Sequence, residues 1–421
     1  MTSLSLLLWI VLGIALQVAI YLGIVFWKHW QGYQVLRLQA TDLAISPVDL
    51  EQEKTPTAVP SSGWTGLKSF RVDRKVLEDA NQTICSLYLV PEDHLPLPPF
   101  RPGQFLTFSL VIPVAGGGTE QIIRCYSLSD APAPDHYRIS VKRVPAPSGK
   151  DVAHGRSSNY LHDQIAEGSV LRVRAPAGHF HIDRSDAPVV LIAGGIGITP
   201  MLSMLNWCLT AQPDREVWLF YGSRNSRELV MLPHLEAQMA AHPNFHLRLC
   251  FSGPLPGDLT GDPSRVRGRV DVAQLRMQLP LKPYHFYICG PTPMLESLVP
   301  ALEDWGVPDS HIHFEAFGPA SIKRRNIASM PAQVATSDIT VTFARSGKQL
   351  SWQPAHGSLL EFAEANGVTV ASGCRAGGCG TCQTTIRAGE VAYRQSPDYD
   401  PEPGTCLMCV CSPKTSVTLE A

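Results

Sequence analysis

Cys374-Arg-Ala-Gly-Gly-Cys379-Gly-Thr-Cys382 places three cysteines inside nine residues at C-x4-C-x2-C spacing. That spacing supplies three of the four thiolates that a plant-type 2Fe–2S cluster requires, and the fourth comes from further along the chain. Four thiolates must converge on one small volume, so the loop has to wrap closely. Gly377, Gly378 and Gly380 remove the Cβ atoms that would obstruct it. A chance group of buried or disulfide-bonded cysteines would carry neither this spacing nor this much glycine. A chain with such a loop moves single electrons, and the residues before it must account for their source.

At 421 residues the chain is long enough for two to four domains. A hydrophobic content of 44% and a charged content of 17% are those of folded protein. The net charge of −2 gives no sign of nucleic acid as a partner, which would call for a strongly basic face. Of the eleven cysteines, three lie in the loop, three follow at Cys406, Cys409 and Cys411, and the rest stand singly in apolar stretches. That distribution fits a metal centre in a reducing compartment better than a secreted disulfide scaffold.

Leu4 to Trp27 (LSLLLWIVLGIALQVAIYLGIVFW) contains no charged residue and is long enough to span a bilayer. Tyr21, Trp27, Trp30 and Tyr33 crowd its end as interfacial aromatics do. No basic residue precedes it, whereas Lys28 and Arg37 follow. It therefore reads as a single-pass anchor with the redox domains in the cytoplasm, not as a cleaved signal peptide. Residues 31–63 read as a linker.

From Trp64 onward, short alternating apolar runs predict an antiparallel β-barrel: Phe70–Val72, Thr83–Val90, Gln104–Val111, Tyr137–Lys142 and Val170–Arg174. Within it lies Arg124-Cys-Tyr126-Ser127-Leu128, where an aromatic beside hydroxyls and a cation suits a flat ring. Gly155-Arg-Ser157-Ser158-Asn159 reads as a helix start whose free N–H groups favour a pyrophosphate. At Val189 the period changes to a continuous apolar run, followed by Gly194-Gly195-Ile-Gly197-Ile-Thr199-Pro200 and a helical stretch. Strand, glycine turn and helix open a parallel-sheet α/β nucleotide-binding domain, although Pro200 stands where the last glycine of the usual fingerprint would fall. Later strands end in glycine or proline, as in His285-Phe-Tyr-Ile-Cys289-Gly290-Pro291.

Taken together, R-x-Y-S, G-x-x-S, the glycine turn, C-G-P-x-x-M and Phe314-Glu-Ala-Phe317-Gly resemble the ferredoxin–NAD(P)+ reductase family in order and approximate spacing. The stretch from Phe70 to Met201 is similar to the reductase part of flavohaemoglobins. The C-terminal loop resembles the ferredoxin module of oxygenase reductase components. The resemblance covers about residues 64–421. It implies that Arg124, Tyr126, Ser127 and Leu128 hold the isoalloxazine. Ser157, Ser158 and Asn159 would hold the flavin diphosphate, and Gly195, Gly197 and Thr199 the nucleotide pyrophosphate. Cys289, Gly290, Pro291 and Phe317 would flank the nicotinamide, with Tyr126, Ser127 and Cys289 as the catalytic set. The flavohaemoglobin likeness implies FAD, with FMN as the alternative that phthalate-dioxygenase-type reductases use. NADH and NADPH both stay open, because Ser223 and Arg224 follow the second strand where an acidic residue would mark NADH. A sodium-pumping quinone reductase subunit has a similar anchor, flavin domain and cluster. Its ferredoxin module follows the anchor directly, whereas here it comes last.

Residues 319–337 read as a second linker, and 338–421 as a β-grasp ferredoxin domain. By likeness to ferredoxins, whose fourth cysteine lies four residues before a proline, the cluster ligands are Cys374, Cys379, Cys382 and Cys409, with Cys411 as second choice. The pairs His179/His181 and His311/His313 read as structural. The expected layout is an anchor (1–30), linker (31–63), flavin barrel (64–184), NAD(P) domain (185–318), linker (319–337) and ferredoxin domain (338–421). The expected function is NAD(P)H-dependent transfer through flavin and cluster to an oxygenase, desaturase or haem protein at the membrane. A non-catalytic redox relay and a respiratory quinone reductase are the alternatives.

Overall fold

The computed structural model describes residues 17, 63–64, 66–114, 116–146, 154–317, 339–373, 375, 377, 380–393, 397, 399 and 401–421. The expected anchor, nearly all of the first linker, the second linker, Cys374 and Cys379 lie outside the described residues. Among the described residues no helix is long and apolar enough to cross a membrane. The chain divides into two units, Met1–Ser61 and Ser62–Ala421, and the fold below is that of the second.

Its first domain contains β1 (Lys68–Leu77), β2 (Ile84–Pro91), β3 (Phe105–Pro113), β4 (Thr119–Ser127), β5 (Tyr137–Lys142), α1 (Arg156–Asp163) and β6 (Val170–Ala177). The strands pair antiparallel in the order β4-β3-β6-β1-β2-β5. The two outer strands meet through a bridge between Leu128 and Ile139, so the sheet closes on itself. Alternation sends Phe70, Val72, Leu87, Leu89, Phe108, Leu171 and Val173 into one apolar core. Arg172, between two of these on β6, faces solvent.

The next domain contains β7 (Val189–Gly194), α2 (Ile198–Ala211), β8 (Val217–Ser223), α3 (Leu232–Ala241), β9 (Phe245–Phe251), β10 (Arg265–Arg267), α4 (Val272–Gln278), β11 (His285–Gly290), α5 (Thr292–Asp304) and β12 (Ile312–Ala316). All its strands run parallel in the order β10-β9-β8-β7-β11-β12. Every residue of β7 is buried, because helices cover both faces of the sheet. The chain proceeds from β7 in one direction and later returns to β11 on its other side. That reversal opens a crevice at the C-terminal ends of these two strands. Asp130 and Asp183 tie this domain to the first. Asn206 Nδ2 donates to Asp130 Oδ1 at 2.7 Å, and Arg215 pairs with Asp183 at 3.1 Å.

The last domain contains β13 (Ile339–Phe343), β14 (Lys348–Trp352), α6 (Leu359–Ala365), β15 (Gln383–Ala388), β16 (Val391–Tyr393), β17 (Thr405–Leu407), β18 (Cys411–Pro413) and β19 (Val417–Leu419). A mixed sheet runs β14-β13-β19-β15-β17, and β16 pairs with β18. The first and last strands lie side by side in parallel, Val341 opposite Val417. Ser358 and Glu361 form a reciprocal cap that starts α6, and the helix buries Leu359, Leu360 and Phe362.

Candidate functional site

A cavity of about 760 Å³ lies where all three domains come together. One wall is strand β4. Its Arg124, Tyr126 and Ser127 line the cavity. The Tyr126 ring stands edge-on to Phe108 with centroids 5.6 Å apart, and burial pushes its phenol well above the ordinary range. The tyrosine is therefore a fixed neutral wall, suited to a flat aromatic partner. Arg124 is exposed, and its Nη1 donates to the Ile123 carbonyl at 2.7 Å.

The floor is the first turn of α1, where Gly155, Arg156, Ser157 and Ser158 line the cavity. Ser157 Oγ is buried and, among the described residues, has no hydrogen-bond partner. A buried hydroxyl left unbonded costs about 1–3 kcal/mol, so this one fits a ligand that accepts its proton. With the free N–H groups of the helix start, the chemistry is that of a phosphate cradle. Arg156 is held beside it by Glu120 at 2.8 Å.

The motif residues do not all turn inward. Leu128 is buried in the core and does not line the cavity. Asn159 also stays out. Its Nδ2 donates to the carbonyls of Val144 at 2.9 Å and Gly155 at 2.7 Å, which anchors the helix start from behind.

On the side of the parallel-sheet domain the cavity is bordered by Ile196, Thr199, Glu315, Ala316 and Phe317. Glycine is required at Gly197, because a Cβ there would stand 2.2 Å from the Cys289 carbonyl oxygen. The glycine turn after β7 thus lies directly against the end of β11, with Gly194 packed on Gly290 and Pro291, and Gly195, Gly290 and Pro291 do not line the cavity. Cys289 is fully buried, and burial followed by the nearby Glu315 carboxylate holds its thiol well above its usual range. The thiol is therefore protonated at neutral pH, and Cys289 does not line the cavity itself. Ser223 Oγ donates to the Asn225 carbonyl at 3.2 Å. Arg224 is largely exposed and pairs with Glu228 at 3.4 Å.

On the opposite side Ser372, Gly373 and Arg375 of the cysteine loop reach the same cavity. Arg375 adopts a left-handed φ of 57° and is pinned by both carboxylate oxygens of Glu364. Cys382 is buried just before β15. Cys409 is half-buried in the turn between β17 and β18, and Val410 N closes that turn on Leu407 O at 3.2 Å. Met408 N donates to Cys382 O at 3.3 Å, which ties this turn to the start of β15. Cys406 and Cys411 sit on strands and are fully buried. A hydrogen bond with Cys406 and burial hold the Cys411 thiol far above its usual range. Among the described residues no group of three acidic, histidine or cysteine side chains is arranged to hold a metal, and two of the four expected ligands lie outside them.

The sequence motifs did not single out Glu315, Arg156, Ser372, Gly373 or Arg375. Glu315 stands inside a quoted motif. Arg156 and Arg375 stand inside quoted motifs too, and only Ser372 and Gly373 had no motif of their own, because three distant segments create the cavity.

Three family descriptions match the chain. Residues 69–182 match an oxidoreductase FAD-binding domain, 191–299 an oxidoreductase NAD-binding domain, and 341–414 a 2Fe-2S iron-sulfur cluster binding domain. A flavohemoprotein of Halalkalibacterium halodurans is 40% identical over 259 residues, 61% of this chain and 61% of that protein. The chain thus spans about three fifths of the length of the curated relatives it matches. The flavohem-like FAD/NAD-binding domain of nitric oxide dioxygenase from Vibrio cholerae O1 biovar El Tor superposes with a TM-score of 0.52 at 31% identity. That match covers 60% of this chain and 99% of that one. Phthalate dioxygenase reductase, described as a modular structure for electron transfer from pyridine nucleotides to 2Fe–2S, gives 0.50 at 28% identity. It covers 85% of this chain and 98% of that one.

Proposed function

We infer that this chain, which belongs to the ferredoxin-reductase-type FAD- and NAD-binding oxidoreductases and carries a C-terminal 2Fe-2S cluster binding domain, passes electrons from NAD(P)H to a protein acceptor. The observation that carries the reading is that one cavity of about 760 Å³ is shared by all three domains. It is walled by Tyr126, floored by the α1 start, and reached from one side by Thr199 and Glu315 and from the other by Arg375. A flavin held by these residues would supply the conversion of a hydride's electron pair into single electrons, and a cluster held by the cysteines would supply the one-electron outlet. The chain's own residues bind, orient and exclude water. Arg124, Tyr126 and Ser127 would hold the ring, and Ser157, Ser158 and the α1 amides the diphosphate. Gly195, Gly197 and Thr199 would receive the nucleotide pyrophosphate, with Cys289 and Phe317 shaping the nicotinamide side. Cys374, Cys379, Cys382 and Cys409 would ligate the cluster. Cys409 is favoured over Cys411 by its place in a half-buried turn rather than inside a strand.

The domain division at 64–184, 185–318 and 338–421, with a β-grasp ferredoxin end, is part of the same proposal. The parallel pairing of β13 with β19 supports the β-grasp reading. The acceptor is an oxygenase, desaturase or haem protein, by likeness to a reductase whose name includes a dioxygenase. The uncharged stretch Leu4–Trp27 supports a single-pass anchor with the redox domains in the cytoplasm. The test is anaerobic titration of the full chain with NADH and with NADPH, followed by steady-state cytochrome c reduction. Bleaching of both flavin and cluster, then turnover, is expected. No bleaching with either nucleotide would leave only a binding role.

A further inference from the structure

The flavin domain and the ferredoxin domain also meet outside the cavity, at a contact that no motif marks. Tyr399 leans on the cysteine loop from within its own domain. Its backbone N–H donates to Gly377 O at 3.0 Å. Its ring lies so close to Gly380 that a Cβ there would stand 2.5 Å from Tyr399 Cζ. Gly380 also has a φ of 71°, so both space and backbone require glycine there. The ring is thereby fixed against the segment between Cys379 and Cys382. Over it stands a cation from the other domain, with Arg174 Cζ 5.3 Å from the ring centroid. Arg174 projects from β6 on the outer face of the barrel, as Arg172 does two residues earlier. The two differ in one respect. Arg172 is exposed, and Arg174 is half-buried.

We propose that Arg174 and Tyr399 form a latch that holds the cluster loop against the flavin domain and so sets the flavin-to-cluster electron step. The proposal rests on the electron-transfer reading above. Tyr399 is suited to the role because its ring is attached to the loop itself. Whatever positions the ring positions the loop that carries Cys382 and its neighbours. A cation over an aromatic ring is attracted by the ring's quadrupole, strongly enough to shift a docked equilibrium by roughly two- to thirty-fold. The pair is a positioning device, since neither residue lines the flavin cavity.

The experiment uses the full chain with its cofactors, mixed anaerobically with NADH or NADPH in a stopped-flow instrument that follows flavin and cluster separately. Arg174→Ala should slow flavin-to-cluster transfer roughly two- to thirty-fold. Flavin reduction by the nucleotide, direct ferricyanide reduction and the cluster's visible spectrum should be unchanged. Arg172→Ala should match the parent throughout. Tyr399→Phe should keep the parent rate, because the ring remains, while Tyr399→Leu should behave as Arg174→Ala. Small-angle scattering supplies a readout independent of turnover, with a larger radius of gyration expected for Arg174→Ala. The latch is overturned by an Arg174→Ala protein with parent transfer rate and radius, or by one that loses its cluster spectrum. A Tyr399→Phe protein as slow as Tyr399→Leu also overturns it, since the hydroxyl would then be the active group. If Tyr399→Leu loses its cluster, Arg174→Ala carries the test alone. If neither nucleotide bleaches the parent flavin, the electron-transfer reading fails, and the scattering comparison still judges the contact.

Discussion

Replacing Ser157 by alanine should stabilise the flavin-free protein and weaken its hold on the flavin. Ser157 Oγ is buried at the start of α1 without a hydrogen-bond partner. That burial costs about 1–3 kcal/mol, which alanine at the same place would largely recover. A hydroxyl donating to a phosphate oxygen contributes about 1.5–3 kcal/mol, as hydrogen bonds to charged groups do. Its loss corresponds to a roughly 10- to 150-fold rise in the flavin dissociation constant. The two effects have opposite signs, and a residue that served packing alone would not produce that pair. Differential scanning calorimetry of the flavin-stripped chain should show the melting temperature rising by about 2–4 °C for each kcal/mol recovered. Fluorescence titration with FAD gives the affinity. A lower melting temperature in the stripped Ser157→Ala protein would mean that the hydroxyl already had a partner. An unchanged FAD affinity would mean that no phosphate meets it. Either result refutes the cradle.

Cys409→Ser should abolish the visible spectrum of the plant-type cluster while Cys411→Ser keeps it, and the reverse result reassigns the fourth ligand. Gly197→Ala, whose Cβ would press within 2.2 Å of the Cys289 carbonyl, should cost about 1–3 kcal/mol of stability. It should also raise the KM for the nucleotide more than it changes FAD affinity, as steady-state kinetics and titration would show. Glu228→Gln leaves Arg224, now paired at 3.4 Å, without its counter-charge. The ratio of kcat/KM for NADPH over NADH should rise a few-fold, as expected of a partly exposed charge, and an unchanged ratio would remove Arg224 from the nucleotide site. Burial holds His162 and His234 below the ordinary imidazole pKa. Groups depressed in the folded state leave stability intact above the unfolded value near pH 6.5 and remove it as pH falls below that. The urea midpoint should therefore drop between pH 7 and pH 5, and His162→Gln should flatten that drop.

Strand β1 was legible because one face is buried, so Phe70 and Val72 alternate with Arg71 and Asp73. The start of the parallel sheet was legible for the opposite reason. Val189–Gly194 is buried on both faces and shows no alternation at all. Motif adjacency proved a poorer guide to which side chains face the ligand. Leu128 follows the R-x-Y-S residues directly, yet the bridge to Ile139 that closes the sheet draws it into the core. Asn159 stands in the hydroxyl-rich helix start, but its amide is used up on Val144 and Gly155. Side chains of this kind commonly bond back to nearby backbone, and Ser158 Oγ does so too, donating to Gly155 O at 3.3 Å, so only the folded chain sets Ser157 apart.

Ser372, Gly373 and Arg375, which the sequence reading did not single out, lie together on one side of the cavity, and the chemistry explains why. Hydride transfer demands two rings in near-contact at about 3–3.5 Å, with the reacting orbitals aligned. That demand fixes residue types at fixed spacings, such as Tyr126 beside Ser127, or Gly197 where the Cys289 carbonyl leaves no room for a Cβ. Single-electron transfer needs proximity but no bond-forming geometry, so many side chains serve equally well between donor and acceptor. Ser372 and Gly373 on that side therefore form no recognisable pattern, Arg375 is marked only by its place between Cys374 and Cys379, and the pairing of Arg174 with Tyr399 has no local sign. What selection can act on there is how long the two domains stay together, a property of tertiary contacts between residues far apart in sequence. The cluster's own ligands are accordingly written in a motif, C-x4-C-x2-C, while the residues between that loop and the cavity become readable only once the chain is folded.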